Sequence, residues 1–300
     1  MTLWMSFPSI FIPDESGEEN ALEPSSTYKK INYAFSKVSK LNRKEMKLSI
    51  PRARCDRETL ASKAIEILVK EQLSSMNWKP DYFVDCHSSN AVTVPAPTYK
   101  LALMCRITDA TPISLSGQAG TEVAYAILLM EHVSKNLPNG VLVSAVQQVV
   151  FPDNRFFENR FPLADGAAAI LLTNEAQISG RNLRILGVSI TQTSKNLLSA
   201  YQDTIKNTLR KAGVEVERIS WAIAHRANNE FLIETQKLLP RARWLTRDLY
   251  PELDFGAADL LISLENLCSS TNLLPSSIGL ICFSGLFGAV GSLLVQVESL

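Results

Sequence analysis

The chain has 300 residues, 46% of them hydrophobic, enough to bury a large core as one big domain or as two fused halves. Thirty basic and 30 acidic residues cancel, so no global field draws the chain to nucleic acid or to a membrane surface. Five scattered cysteines with no C-x-x-C pairing point to reduced thiols in a cytoplasm rather than a disulfide framework.

In chain order, Met1 to Pro13 is mildly apolar but has no basic leader and no small-residue cleavage site, which predicts no signal peptide. A basic stretch follows from Lys29 to Arg57, through Lys37, Lys40, Arg43, Lys44, Lys47, Arg52 and Arg54; it reads as a solvated face or as a docking surface for an acidic partner. Ala61 to Ser74 has helical spacing (Ile65, Leu68, Val69, Leu73), and Tyr82-Phe83-Val84 is a short apolar strand leading to a polar turn with His87. Pro97 to Cys105 reads as a helix, Gly120 to Val133 as a buried helix, and Asp165 to Leu172 as a small-residue strand. Next come a helix over Tyr201 to Ala212, a strand over Ile219 to Ala224 ending in a turn with His225, and helices over Asn228 to Leu239 and Gly256 to Leu267. The last apolar run, Ile278 to Val297, is long enough to span a membrane, but Ser284-Gly285, Gly288 and Gly291-Ser292 punctuate it. Two strands joined by a Gly turn fit it better.

The second half of this series echoes the first. Each half runs helix, strand, histidine turn, helix, buried helix beginning with Gly, then Gly-rich strands. The spacings agree: His87 precedes Gln118 by 31 residues (118 − 87), and His225 precedes Asp254 by 29 (254 − 225). Strands alternating with helices imply an α/β fold of βαβ units. The echo predicts two similar sheets packed through their helices, with halves at 1–175 and 176–300.

Five segments carry a resemblance to a known family: Ser116-Gly117-Gln118-Ala119-Gly120, Leu163-Ala164-Asp165-Gly166-Ala167, Ala224-His225-Arg226-Ala227-Asn228, Asp254-Phe255-Gly256-Ala257-Ala258 and Phe283 to Gly291. The first resembles the Cys-Ser/Ala-Gly turn that opens the nucleophile helix of β-ketoacyl-ACP synthase III enzymes, the third their His-Gln-Ala-Asn motif, and the fourth their Asn-Thr-Ser-Ala-Ala motif. The resemblance covers about residues 58 to 300. It implies the thiolase-like fold, a five-layer α-β-α-β-α sandwich from two duplicated halves. It also places Gln118, His225 and Asp254 where the family has Cys, His and Asn.

Two of those three roles change. A condensing enzyme needs a thiolate as nucleophile and leaving group, and Gln118 has no ionisable proton. Cys86-His87 reads as structural, and placing Ser114 or Ser116 at the nucleophile position breaks the match of the following helix. In the family, the His and Asn hold the enolate left when malonyl carrier protein loses carbon dioxide. An ionised Asp254 about 4 Å from that enolate costs about 4 kcal/mol at an effective dielectric of about 20, roughly a thousandfold in rate. Asp254 can instead pair with His225, or donate if protonated. The family also gives the last Gly-rich loop an oxyanion amide, which here falls near Phe283-Ser284-Gly285. The stretch before Arg57 and the connection between Gly187 and Tyr201 look shorter than the family's, which implies a reduced or open pocket.

The readings left open are four. The first is a non-catalytic subunit in a heterodimer with a Cys-containing synthase III paralogue, similar to the type II polyketide chain-length factors, which place Gln at this position. The second is a malonyl-thioester decarboxylase in which Gln118 mimics an acylated cysteine. The third is a hydrolase or acyltransferase using a His225–Asp254 dyad. The fourth is an inert homodimer. No metal or cofactor is implied. An acyl carrier protein or coenzyme A thioester is the substrate carrier that the resemblance brings, and the basic stretch is its candidate dock. Nucleic acid and membrane partners are not expected.

Overall fold

The chain opens with a broken strand, β1 (Leu3–Ser6) and β2 (Ser9–Phe11), interrupted at Phe7-Pro8, where proline has no N–H to give a ladder. The computed structural model describes residues 2–13, 50–53, 55–72, 79–88, 97–117, 120–133, 138–149, 161–174, 182–192, 197–226, 229–270, 273–285 and 288–298. After the first strand come α1 (Arg57–Gln72), β3 (Tyr82–His87), α2 (Pro97–Met104), β4 (Thr111–Ser116), α3 (Glu122–Val133), β5 (Val141–Gln147) and β6 (Gly166–Thr173). The later elements are β7 (Asn182–Gln192), α4 (Leu197–Ala212), β8 (Ile219–Ala224), α5 (Asn229–Leu238), β9 (Arg243–Trp244), α6 (Asp259–Ser270), β10 (Ile278–Ser284) and β11 (Ala289–Val297).

Strand pairing turns the sequence echo into topology. In the first series β3 runs parallel to β4 and β5, and β5 is antiparallel to β6, which takes β2 on its far side. In the second series β8 runs parallel to β9 and β10, and β10 is antiparallel to β11, which takes β7. The two series are the same pattern with different residues.

One expectation needs correcting. The two strand sets are not separate sheets, because β1 lies antiparallel between β6 and β7 and joins them. The hydrogen-bonded order among the described residues is β4-β3-β5-β6-β1-β7-β11-β10-β8-β9, with β2 beside β6. The physical reason lies in the opening residues: Leu3 and Met5 alternate into the core while the backbone between them serves two ladders at once. A stretch of four residues is too short for its period to stand out in the sequence.

Three hydrophobic clusters define the layers. The central one holds Val123, Ala126, Ile127 and Met130 of α3 and Leu260, Leu261, Leu264 and Leu267 of α6, packed against Val84, Val143 and Ile170 on one side and Ile223, Ile281 and Leu293 on the other. Apolar residues all round a helix mark one buried between sheets. A second cluster packs Leu60, Ala64, Ile65 and Leu68 of α1 on Phe83, Leu142 and Leu171. A third packs Tyr201, Ile205 and Leu209 of α4 on Ile219, Leu280 and Leu294. The layers run α-β-α-β-α, as the resemblance implies.

The basic stretch lies largely outside the described residues, and its last member is not a surface charge. Arg57 is buried, with Nη2 at 3.0 Å from the Asp85 carboxylate. Ser144 and Thr98 also donate to Asp85, at 3.1 and 3.2 Å. A buried carboxylate on β3 thus holds the start of α1 against the sheet. No described helix is long and apolar enough to cross a membrane.

Candidate functional site

His225 follows β8 directly, and its N–H donates to Cys282 O at 2.9 Å, extending the parallel β8–β10 ladder. The ladder fixes the backbone, so the imidazole projects inward from a rigid base, and it is fully buried. Its two nitrogens face different acceptors. Nδ1 lies 2.6 Å from Ser284 O, and Nε2 lies 2.8 Å from Asp254 Oδ1. A carbonyl oxygen only accepts, so Nδ1 carries a hydrogen. Asp254 Oδ1 also accepts the Gly256 N–H at 2.7 Å. Asp254 Oδ1 is thus shared between the imidazole edge and a main-chain donor, and the ring is held from both sides.

The Asp254 backbone is clamped across the molecule. Its N–H donates to Pro162 O and its carbonyl accepts the Ala164 N–H, both at 2.9 Å. The neighbouring Asp165 accepts the N–H of Val149 and of Ala53, both at 2.8 Å. Asp165 therefore staples loops and is not a reactive group. The turn after Asp254 is pinned by Ser88, whose Oγ accepts the Ala257 N–H at 2.8 Å.

The structure brings His225 and Asp254 together, as the pairing expected from the resemblance allowed. Gln118 lies outside the described residues, as do Ala227 and Asn228 of the third motif. Gly120, two residues past Gln118, adopts a φ of +134°, and a Cβ there would lie 2.3 Å from both His225 Cε1 and Ser284 O. Only glycine fits that approach. The expected oxyanion amide near Phe283-Ser284-Gly285 is corrected at Gly285: its N–H donates to Ala289 O at 2.7 Å and closes the β10–β11 hairpin, while Ser284 O is used by His225.

Three of the described thiols are held away from the thiolate form a nucleophile needs. Burial pushes the Cys86 thiol well above its ordinary range, with the Glu122 and Asp85 carboxylates adding to it. Burial likewise raises Cys282, and pushes Cys105 up to about 12. His87 Nε2 lies 3.0 Å from Ser114 Oγ, across to the edge strand β4.

Two functional-looking residues, Arg247 and Asp259, escaped the sequence reading. Arg247 is fully buried: Nη1 donates to Asp259 Oδ1 at 2.7 Å and to Ser263 Oγ at 2.8 Å, and Nη2 donates to Leu253 O. The guanidinium stacks 5.0 Å from the centre of the Phe255 ring. The available signal was Asp259 itself, an acid inside the apolar run from Phe255 to Leu264. Arg226, beside His225, is pulled below its ordinary pKa by burial and by the Arg247 guanidinium.

His225, Asp254 and Asp259 offer ligand atoms within 4.8 Å of one another, a grouping that resembles a metal site. The donor chemistry does not fit one. Asp259 Oδ1 accepts from Arg247 and Phe255 N, and Oδ2 accepts the Arg226 N–H. Arg247 already supplies the positive charge, and a metal would sit beside a guanidinium. What the arrangement does is hold an imidazole with both nitrogens engaged.

Solved structures share this architecture over the whole chain. FabH, the 3-oxoacyl-(acyl carrier protein) synthase III of Pseudomonas aeruginosa PAO1, superposes with a TM-score of 0.72 at 14% identity, covering 100% of this chain and 99% of that one. The acyltransferase ChlB3 gives 0.74 at 16% identity, over 100% and 98%. This is the thiolase fold. OleA of Xanthomonas campestris shares it, with a TM-score of 0.72 at 11% identity over 98% of both chains. No family model and no curated protein matches the sequence. At such identities the likeness carries the thiolase fold alone, and chemistry must be argued from the residues.

Proposed function

We propose that the chain is a non-catalytic subunit of a thiolase-fold condensing enzyme, pairing with a Cys-bearing synthase III paralogue in fatty acid, polyketide-type or other secondary-metabolite synthesis. The observation that carries this reading is the 2.8 Å contact of His225 Nε2 with Asp254 Oδ1. A ring N–H that is to stabilise an enolate must point at the substrate oxygen from about 2.7–3.1 Å. Here a carboxylate oxygen of the same chain stands at that distance. The amide of Gln118, in the position the family gives to its nucleophile, agrees with a site that forms no acyl-enzyme.

The surface supports a partner of the same fold. Among the described residues β4 ends the hydrogen-bonded order, so its outer edge offers backbone donors and acceptors to a further strand. Tyr99, Leu103 and Met104 of α2, which packs beside it, are 58%, 63% and 41% exposed. An acyl carrier protein or coenzyme A thioester would then be served by the partner's site. Four described cysteines are free, which suits a reducing compartment.

The other readings meet specific obstacles. Decarboxylation needs the imidazole edge that Asp254 occupies. Hydrolysis by a His–Asp dyad needs one imidazole nitrogen open to water, and both are taken. The test is co-expression of this chain with a synthase III paralogue from the same source. A stable one-to-one complex is expected. A chain that purifies alone, or that takes an acyl group covalently during turnover, overturns the proposal.

A further inference from the structure

The residues flanking His225 and Asp254 in sequence converge on one carboxylate. Asp259 Oδ2 accepts the N–H of Arg226, the residue after His225, at 2.9 Å. Asp259 Oδ1 accepts the N–H of Phe255, the residue after Asp254, at 3.1 Å. The residue before Asp254 is held by the other half of the ion pair, because Arg247 Nη2 donates to Leu253 O. Arg247 Nε reaches Tyr250 O at 3.3 Å, where the backbone takes a φ of +51° that a tyrosine rarely adopts. Both charged side chains are fully buried.

We propose that the Arg247–Asp259 pair is a positioning device that fixes the imidazole of His225 against Asp254, and that only a carboxylate at residue 259 and a guanidinium at residue 247 can do so. Three N–H donors meet on the two oxygens of Asp259. An asparagine has one acceptor oxygen, so either the Arg226 N–H or the Phe255 and Arg247 donors would face an NH2 group. A lysine at residue 247 brings a point charge with no planar fork, and cannot serve Asp259, Ser263, Leu253 and Tyr250 together. The pair therefore couples the end of β8 to the loop before α6 through main-chain bonds on each side of the contact.

This inference goes beyond the pairing reading: failure to co-purify would leave it standing, and its own failure would leave pairing untouched. The experiment uses the full-length chain with isotope-labelled histidine. His225 is one of three histidines, and its buried ring proton on Nδ1 is expected to exchange slowly with water. In D259N and in R247K the His225 ring resonances are expected to move and the ring-proton exchange to accelerate by roughly tenfold or more, while far-ultraviolet circular dichroism stays that of the folded chain. A purely structural pair would lower the unfolding midpoint and leave the His225 signals of the folded molecules where they were. That result overturns the proposal. Should D259N fail to fold, R247K carries the same readout.

Discussion

Gly120 abuts His225 so closely that a methyl group at residue 120 would lie 2.3 Å from the imidazole Cε1. Replacing Gly120 by Ala adds both that overlap and a backbone φ of +134° that an L side chain resists. The variant is expected to lose at least about 2 kcal/mol of stability. Urea unfolding checks this; a midpoint equal to the wild type would show that the turn and the imidazole do not meet.

Asp254→Asn removes the carboxylate from the His225 contact while keeping the shape. A hydrogen bond to a charged group contributes about 1.5–3 kcal/mol, and a loss of that order is expected in the melt. Pairing with the paralogue should survive, because the contact is internal to this chain. Loss of the complex in D254N at a temperature where the chain remains folded would connect the site to the interface.

Asp56 caps α1, accepting the Thr59 N–H at 2.9 Å and a hydrogen bond from Lys100. Burial alone would raise its pKa, but the Lys100 and Thr59 hydrogen bonds outweigh it and hold the folded value at about 2, against 3.8 for an unperturbed group. A depressed carboxylate stabilises the folded chain above pH 3.8, and that contribution is lost as pH falls towards 2. Asp56→Ala should cost about 1 kcal/mol at neutral pH and should flatten this part of the acid unfolding curve. An unchanged acid limb would assign the cap to another residue.

Cys86 and Cys282 are buried with raised thiol pKa values, so mild alkylation of the native chain should leave both unmodified. Peptide mapping after iodoacetamide treatment is the check. Rapid labelling of Cys86 would revive it as a nucleophile candidate.

Leu103 is 63% exposed on α2. Leu103→Asp should leave the unfolding free energy within about 0.5 kcal/mol of wild type, as surface changes do. If α2 and β4 form the contact with the paralogue, burying that charge weakens the complex by tenfold or more, about 1.4 kcal/mol. Titration calorimetry separates the two effects, and unchanged affinity would move the interface elsewhere.

Much of the fold was legible because its long elements carry clear periods. The helix read from Ala61 onward is α1, and the small-residue run after Asp165 is β6. The Gly-punctuated run at the end is the β10–β11 hairpin. Short strands were not legible: β1 and β2 have four and three residues, too few for a period-two pattern to be distinguished from chance. The His225–Asp254 pairing was legible from the family spacing, whereas Arg247 and Asp259 were not. A charged residue in sequence looks the same whether it is solvated or buried with a partner, and only the fold brings residue 57 to 85 or 247 to 259.

The bridging role of β1 bears on how the molecule is made. Leu3 pairs with Ile185, 182 residues downstream (185 − 3). At a synthesis rate of about 5–20 residues per second, the opening strand waits roughly 10–40 s for its second neighbour to leave the ribosome. Its first neighbour, β6, emerges only shortly before, so for most of that time Leu3 and Met5 are uncovered on both sides, an adhesive stretch that nascent-chain chaperones would have to shield.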